Sequence, residues 1–232
     1  GLYRLKKEGK IISPIKGLYV IVPSEHQPYG SIPAEELVPI MMNFLHAQYY
    51  VALLSAAAFY GASHQKIFKF QIITNNRMKS SLKFGRIKIE IITKKTIIDL
   101  PIQDFVVNTG YIRVASPELV AIDLVTYVRR SGGLNNVATV LSELIEKIDV
   151  KKLIALTDKT NNIYQLQRIG YILDTIEVID EIKKEFILTE IENYLQKTKL
   201  RYVALSPMVS VAGSSRSKKW KIIENIEVES DV

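Results

Sequence analysis

The stretch Leu5-Lys-Lys-Glu-Gly-Lys-Ile-Ile12, followed by Lys16-Gly-Leu-Tyr-Val20, decides how the chain is read. Leu2 and Leu5, with the basic Arg4, Lys6 and Lys7 beside them, suit the last turn of a helix, and Gly9 stands where a left-handed stop is expected. Beyond it, residues 10–13 and 18–22 are short β-prone runs joined through Pro14, Ile15, Lys16 and Gly17, which carry turn chemistry. The predicted order is helix, stop, hairpin. Residues 24–31, with Pro28 and Gly30, read as a linker into a new unit.

From Ile32 the pattern turns helical. Ser31 can cap, Pro33 suits a first turn, and Glu35 and Glu36 complement the helix N-terminus. A second helix is predicted over residues 49–60, ending at Gly61. Strand-like runs follow at 66–74, 86–92 and 104–114, with the polar residues 75–83 turning a hairpin between the first two. Ser116-Pro117-Glu118 opens a helix that runs to Tyr127 and is stopped by Gly132-Gly133. Further helices are predicted near 136–147, 150–156, 161–173 and 185–197 from apolar residues at three-to-four spacing. Residues 202–205 and 220–228 are β-like and flank a flexible basic loop at 213–219. The class implied is α+β.

Composition sets the outer bounds. The 232 residues are 47% hydrophobic and 24% charged, enough apolar material for one large or two small cores. There is no cysteine, which removes disulfide scaffolds, thiolate zinc sites, iron–sulfur clusters and cysteine nucleophiles together. That usage suits a reducing cytoplasm, and no leader pattern opens the sequence, so a cytoplasmic location is expected. The most apolar stretch, residues 49–61, spans 13 residues, against the roughly 18 to 20 that a membrane span needs. No membrane partner is expected.

The net charge of +7 is uneven. Residues 1–23 hold five Lys/Arg and one acid, and residues 64–96 hold nine Lys/Arg against Glu90 alone. Arg216, Lys218, Lys219 and Lys221 form a third basic group near the C-terminus. Segregated positive charge favours a polyanion or the acidic face of a partner.

Signatures of enzyme chemistry are weak. His26, His46 and His64 are too far apart for a helical zinc pair, Gly9-Lys10 is followed by Ile11 where a phosphate loop needs Ser or Thr, and no nucleophile elbow is present. Glu90, Lys94 and Asp99 superficially offer a nuclease-like set, but Glu90 falls in an alternating Lys-Ile-Glu-Ile strand, where a charged solvent face explains it. The serines 214, 215 and 217 beside Lys218 read as a mobile hydrophilic loop. No catalytic residue, metal site or cofactor is expected.

Residues 5–12 and 16–20 look like the end of a recognition helix and the wing of a winged helix-turn-helix. With Tyr-Tyr-Val-Ala-Leu-Leu-Ser-Ala-Ala-Ala-Phe-Tyr-Gly (49–61), Arg113-Val-Ala-Ser-Pro-Glu118 with Asp123, and Lys-Trp-Lys-Ile-Ile-Glu-Asn (219–225), the chain resembles the AbiEi family, antitoxins of bacterial type IV abortive-infection toxin–antitoxin systems. The resemblance implies two parts: residues 1–26, the C-terminal part of a winged-helix DNA-binding domain, and residues 31–232, an antitoxin domain of mixed helices and β-sheet. It implies a non-enzymatic protein that represses its own operon at operator DNA and counters a nucleotidyltransferase-like toxin without a stable complex. The family's winged helix also needs two earlier helices, which would precede Gly1, so the sequence as it stands is expected to bind DNA poorly.

Carried to residues, the resemblance assigns Arg4, Lys6, Lys7, Lys10 and Lys16 to DNA phosphates and grooves. Tyr19 is expected to pack the wing against its helix. Ser116, Pro117, Glu118 and Asp123 are expected to serve a helix start, and Trp220 to anchor the core. The basic run Lys66, Lys69, Arg77, Lys79, Lys83, Arg86 and Lys88 is the candidate antitoxin surface, able to engage nucleic acid or a nucleotide shared with the toxin. The rival readings are a stand-alone winged-helix regulator with a ligand-sensing or dimerisation domain, and a metal-dependent nuclease.

Overall fold

The computed structural model describes residues 1–62 and 68–229. Helices and strands are both abundant, and the α+β expectation is met. The chain divides into two compact units, Gly1–Ala56 with Gln65–Ala115, and Ala57–His64 with Ser116–Val232.

The first unit opens with a short helix, α1 (Leu2–Lys7), whose last turn is basic, and Gly9 then takes φ +71°, the left-handed stop read from the sequence. Strands β1 (Ile11–Ile15) and β2 (Leu18–Ile21) form an antiparallel hairpin. Its turn is Lys16-Gly17, later than expected. Pro14 stays inside β1 because the register slips between Ile12 and Ile15, and an irregular strand tolerates a residue without an N–H.

Helix α2 (Ala34–Phe44) packs against a six-stranded sheet of order β5-β6-β4-β3-β8-β7. Its strands are β3 (Tyr49–Val51), β4 (Phe70–Thr74), β5 (Ser81–Phe84), β6 (Ile87–Thr93), β7 (Ile102–Val107) and β8 (Gly110–Ala115). The central pairings β4–β6 and β3–β8 are parallel, whereas β3–β4, β5–β6 and β7–β8 are antiparallel. Val51, Ile72, Ile91 and Val114 meet across these registers, and all are buried, as are Leu37, Val38, Met41 and Met42 of α2.

Three expectations for this unit are corrected. Residues 49–51 are the interior strand β3, and the helix α3 (Leu53–Phe59) begins only at Leu53, which takes a left-handed φ of +53°. Sheet partners on both sides outweigh the helical reading of an all-apolar run. Residues 75–83 do not turn a hairpin between β4 and β6, which are parallel; they lead into β5, and the hairpin turns at Gly85. The single strand expected at 104–114 is the β7–β8 hairpin, turned at Asn108-Thr109 ahead of Gly110, whose φ is +124°.

The second unit is helical, with a small sheet at its C-terminal end. Helix α4 (Pro117–Thr126) is buried from Pro117 through Val125 because α5 (Leu134–Leu144), α6 (Val150–Thr160) and α7 (Ile163–Thr175) pack against it. This explains its almost unbroken apolar sequence. Helix α8 (Glu181–Gln196) packs on α6 and α7. Strands β9 (Val203–Ala204), β10 (Ser215–Ser217) and β11 (Ile222–Glu224) form a three-stranded sheet of order β10-β11-β9. The loop expected at 213–219 therefore contains a paired strand.

Candidate functional site

Alternation along the β5–β6 hairpin puts its basic residues outside. Lys83 and Lys88 are directly opposite each other in the antiparallel register, and both are exposed. Like charges facing each other across a ladder are destabilising, so this pair is a feature that folding alone does not favour. Arg86 sits in the turn between them, its guanidinium carbon 5.7 Å from the centroid of the Tyr29 ring. The turn is pinned there: the Arg86 N–H donates to the Tyr29 carbonyl at 2.9 Å.

The remaining members of the run divide in space. Lys69 immediately precedes β4, in the register that pairs Phe70 with Ile89, and so lies alongside Lys88. Arg77 and Lys79 are exposed in the connection from β4 to β5, next to Ser80, whose carbonyl accepts from the Ile91 N–H at 2.8 Å. They belong to the far end of β6. Lys88 to Ile92 along that strand is about 13 Å, so the run forms two groups. Lys66 lies outside the described residues.

Between the two groups the sheet face is polar but occupied. The Gln71 side-chain amide donates to Glu90 Oε2 at 2.9 Å, and Gln71 Oε1 accepts from the Leu54 N–H at 3.1 Å. Glu90 is thereby tied into α3 and β4. Asp99, paired with it in the nuclease reading, lines a cleft with a cavity volume of 270 Å³ alongside Tyr49, Ile97, Leu100 and Arg113. Burial pushes the Tyr49 hydroxyl up to about 12 against the opposing pull of Arg113. This cleft has no signature in the sequence, because its walls come from three separated segments. Among the described residues, no group of three or more His, Asp or Glu side chains could hold a metal ion.

The N-terminal cations also fall into two classes. Glu8 takes both Arg4, at 3.4 Å, and Lys10, at 2.9 Å. Lys6, Lys7 and Lys16 are exposed and have no ion pair among the described residues. Tyr19 is half exposed at 49%, so the wing contact expected of it leaves much of the ring in solvent.

In the second unit, the Ser116 hydroxyl donates to Glu118 Oε2 at 2.7 Å and accepts from the Leu119 N–H, while Glu118 Oε1 accepts from the Asp149 N–H at 3.0 Å. These residues cap α4 and fasten the start of α6, as expected of a helix start. Asp123 is buried in α4. Trp220 is buried, and its indole N–H donates to Asp174 Oδ2 at 2.8 Å, which makes it a core anchor.

The model of the AbiEi antitoxin C-terminal domain matches residues 50–175, more than half of the sequence. The chain belongs to the AbiEi antitoxin family. The matched span contains the β5–β6 hairpin, the Tyr49-side cleft wall at Arg113, and the α4 cap. Among solved structures, the chain is similar to the RV2827C protein from Mycobacterium tuberculosis at a TM-score of 0.66 and 16% identity, covering 100% of this chain and 78% of that one. At that identity the likeness concerns the fold. No curated protein matches the sequence. As an AbiEi antitoxin the chain has a toxin for a partner, and no helix among the described residues is long and apolar enough to cross a membrane.

Proposed function

We propose that this AbiEi protein counters a nucleotidyltransferase-like toxin without forming a stable complex, and that its working surface is the basic β5–β6 hairpin. The observation that carries the reading is the position of Lys83 opposite Lys88 within the span matched to the antitoxin domain. A like-charged pair that weakens its own ladder fits a site that meets an anion. The anion in view is a nucleic acid or nucleotide that the toxin also uses, so protection works through a shared ligand.

The second part of the proposal is repression of the operon. Residues 1–26 act as the end of a recognition helix and its wing. Lys6, Lys7 and Lys16 then supply phosphate contacts, while Arg4 and Lys10 share their charge with Glu8 and contribute less. The protein works as a cytoplasmic phage-defence regulator with no catalytic step of its own.

The test is a growth rescue. The full chain is co-expressed with the nucleotidyltransferase-like toxin encoded beside it, alone and as Lys83→Glu/Lys88→Glu, with both forms checked for folding by circular dichroism. Rescue by the wild type and its loss in the folded double variant support the proposal. Equal rescue by both moves the working surface away from the hairpin, and no rescue by either leaves the toxin class wrong.

A further inference from the structure

The C-terminal sheet gathers the third basic group into a cluster that shares no residue with the surfaces above. Tyr202, just before β9, is 36% exposed and has two cations at its ring. The Arg216 guanidinium carbon lies 5.3 Å from its centroid and the Lys221 ammonium 5.2 Å. Arg216 comes from β10 and Lys221 from the turn before β11, so three segments converge on one aromatic side chain.

The charges at this ring are not neutralised. Among the described residues neither Arg216 nor Lys221 has an ion pair, and Arg201 and Lys218 add exposed charge at the flanks. Lys219, in the same turn, shows the contrast: it pairs with Asp174 at 3.1 Å and serves the Trp220 anchor. The sheet's own acid, Glu224, is opposite Ser215, one register step from the Arg216–Ile223 pair and so on the other face, where it accepts the Ser215 hydroxyl. Lys221 is also fixed in place. It holds a left-handed φ of +53°, while its carbonyl accepts from the Val203 N–H at 3.0 Å and the Gln167 side-chain amide at 3.2 Å.

We infer that this cluster is a binding site for single-stranded nucleic acid, with Arg216 and Lys221 on phosphates and Tyr202 against a base or sugar. Two unpaired cations held by one aromatic ring suit a ligand that offers charge and flat apolar faces at the same point. A duplex hides its base faces, and an acidic peptide has charge without a repeating planar group. A single strand presents both.

The experiment is fluorescence anisotropy of the full chain with a labelled oligouridylate over a range of salt concentrations. The wild type should bind, with affinity falling as salt rises. Arg216→Ala/Lys221→Gly should weaken binding about tenfold or more and flatten the plot of log affinity against log salt by about 1.4, the value for two single-strand phosphate contacts. Glycine at 221 suits the left-handed backbone, so the variant loses the lysine side chain without straining the turn. Tyr202→Leu should weaken binding with little change in that slope, and Tyr202→Phe, which keeps the ring, should bind like the wild type. The inference is overturned if the wild type does not bind, if the double variant or Tyr202→Leu binds undiminished, or if duplex DNA or polyglutamate of equal charge displaces the probe as well as unlabelled oligouridylate does.

Discussion

Gly170 of α7 lies flat against the ring of Trp220: a methyl group at position 170 would come within 2.3 Å of Trp220 Cζ3 and 2.5 Å of Cε3. The glycine costs helix stability, roughly 1 kcal/mol relative to alanine, and what offsets it is the full burial of the largest side chain in the protein. Gln167, one turn earlier, completes the seam by donating to the carbonyls of Arg201, Trp220 and Lys221. The C-terminal sheet is thus fastened to α7 by one missing Cβ and one amide.

Gly170→Ala should therefore destabilise the second unit despite its better helix propensity. Displacing a packed ring costs about 1–3 kcal/mol, which exceeds the propensity gain. Urea denaturation followed by Trp220 fluorescence measures it. A midpoint equal to or above the wild type's would mean that the ring has room to move.

A comparable close approach controls the basic hairpin. Gly85 has φ +53°, and a Cβ there would lie 2.1 Å from the Tyr29 carbonyl oxygen and 2.7 Å from Gly30 Cα. Gly85→Ala meets both a backbone clash and the left-handed penalty of about 1–2 kcal/mol. The expected result is lower stability together with faster proteolytic cleavage near Arg86, as the turn leaves Tyr29. Unchanged cleavage would show the hairpin tip to be held by something other than this approach.

How much of this was legible follows from where each signal resides. The α1 stop at Gly9, the β1–β2 hairpin and the Ser116 cap are local, and neighbours in sequence determine them. The run at 49–61 is apolar but for Ser55, so periodicity cannot separate strand from helix, and only the flanking β4 and β8 make Tyr49–Val51 a strand. The Asn108-Thr109-Gly110 turn did carry a signal, which the β-prone residues on either side obscured. At the candidate site, the charge run was legible, but its division into two groups was not, because it depends on β4 and β6 being parallel. The cleft at Tyr49 and the ring of Tyr202 with its two cations are assembled from distant segments and leave no pattern in the chain.

Alkaline pH should unfold the protein through its tyrosines. Burial pushes Tyr49 up to about 12, and burial together with the hydrogen bond to Asp158 pushes Tyr194 up to about 12, while burial also raises Tyr60, Tyr127 and Tyr171. In the unfolded chain these hydroxyls ionise near 10. Above that pH the unfolded state has shed protons that the native state retains, so stability is complete below about pH 10 and falls as pH rises toward 12. Denaturation midpoints across that window should fall more shallowly for Tyr49→Phe than for the wild type. An equal slope would place the sensitivity in the other tyrosines.

Operator binding should separate the two classes of N-terminal cation. Lys6→Ala or Lys16→Ala removes an exposed charge and should weaken binding uniformly across sequences, lowering the salt slope by about 0.9 for each phosphate no longer neutralised. Glu8→Gln should act in the opposite sense, because it releases Arg4 and Lys10 from their ion pairs. Titrations of an operator duplex at several salt concentrations distinguish them. Binding that survives both lysine substitutions without change would remove residues 1–26 from the DNA interface.

The facing lysines of the β5–β6 ladder give the sharpest prediction, because stability and function should move in opposite directions. Lys83→Glu replaces a repulsive cross-strand pair with an attractive one opposite Lys88, a change worth about 0.2–1 kcal/mol in favour of the fold. The gain should shrink as salt rises, since both side chains are exposed and screened. If the hairpin is the antitoxin surface, the same substitution should abolish growth rescue, since it removes one of the cations that meet the shared anion and adds a charge that repels it. Thermal melts and rescue assays on the one variant read both effects. A variant that is more stable and still protects would mean that the lysine pair is a tolerated flaw of the sheet, and that neutralisation is carried elsewhere in the antitoxin domain.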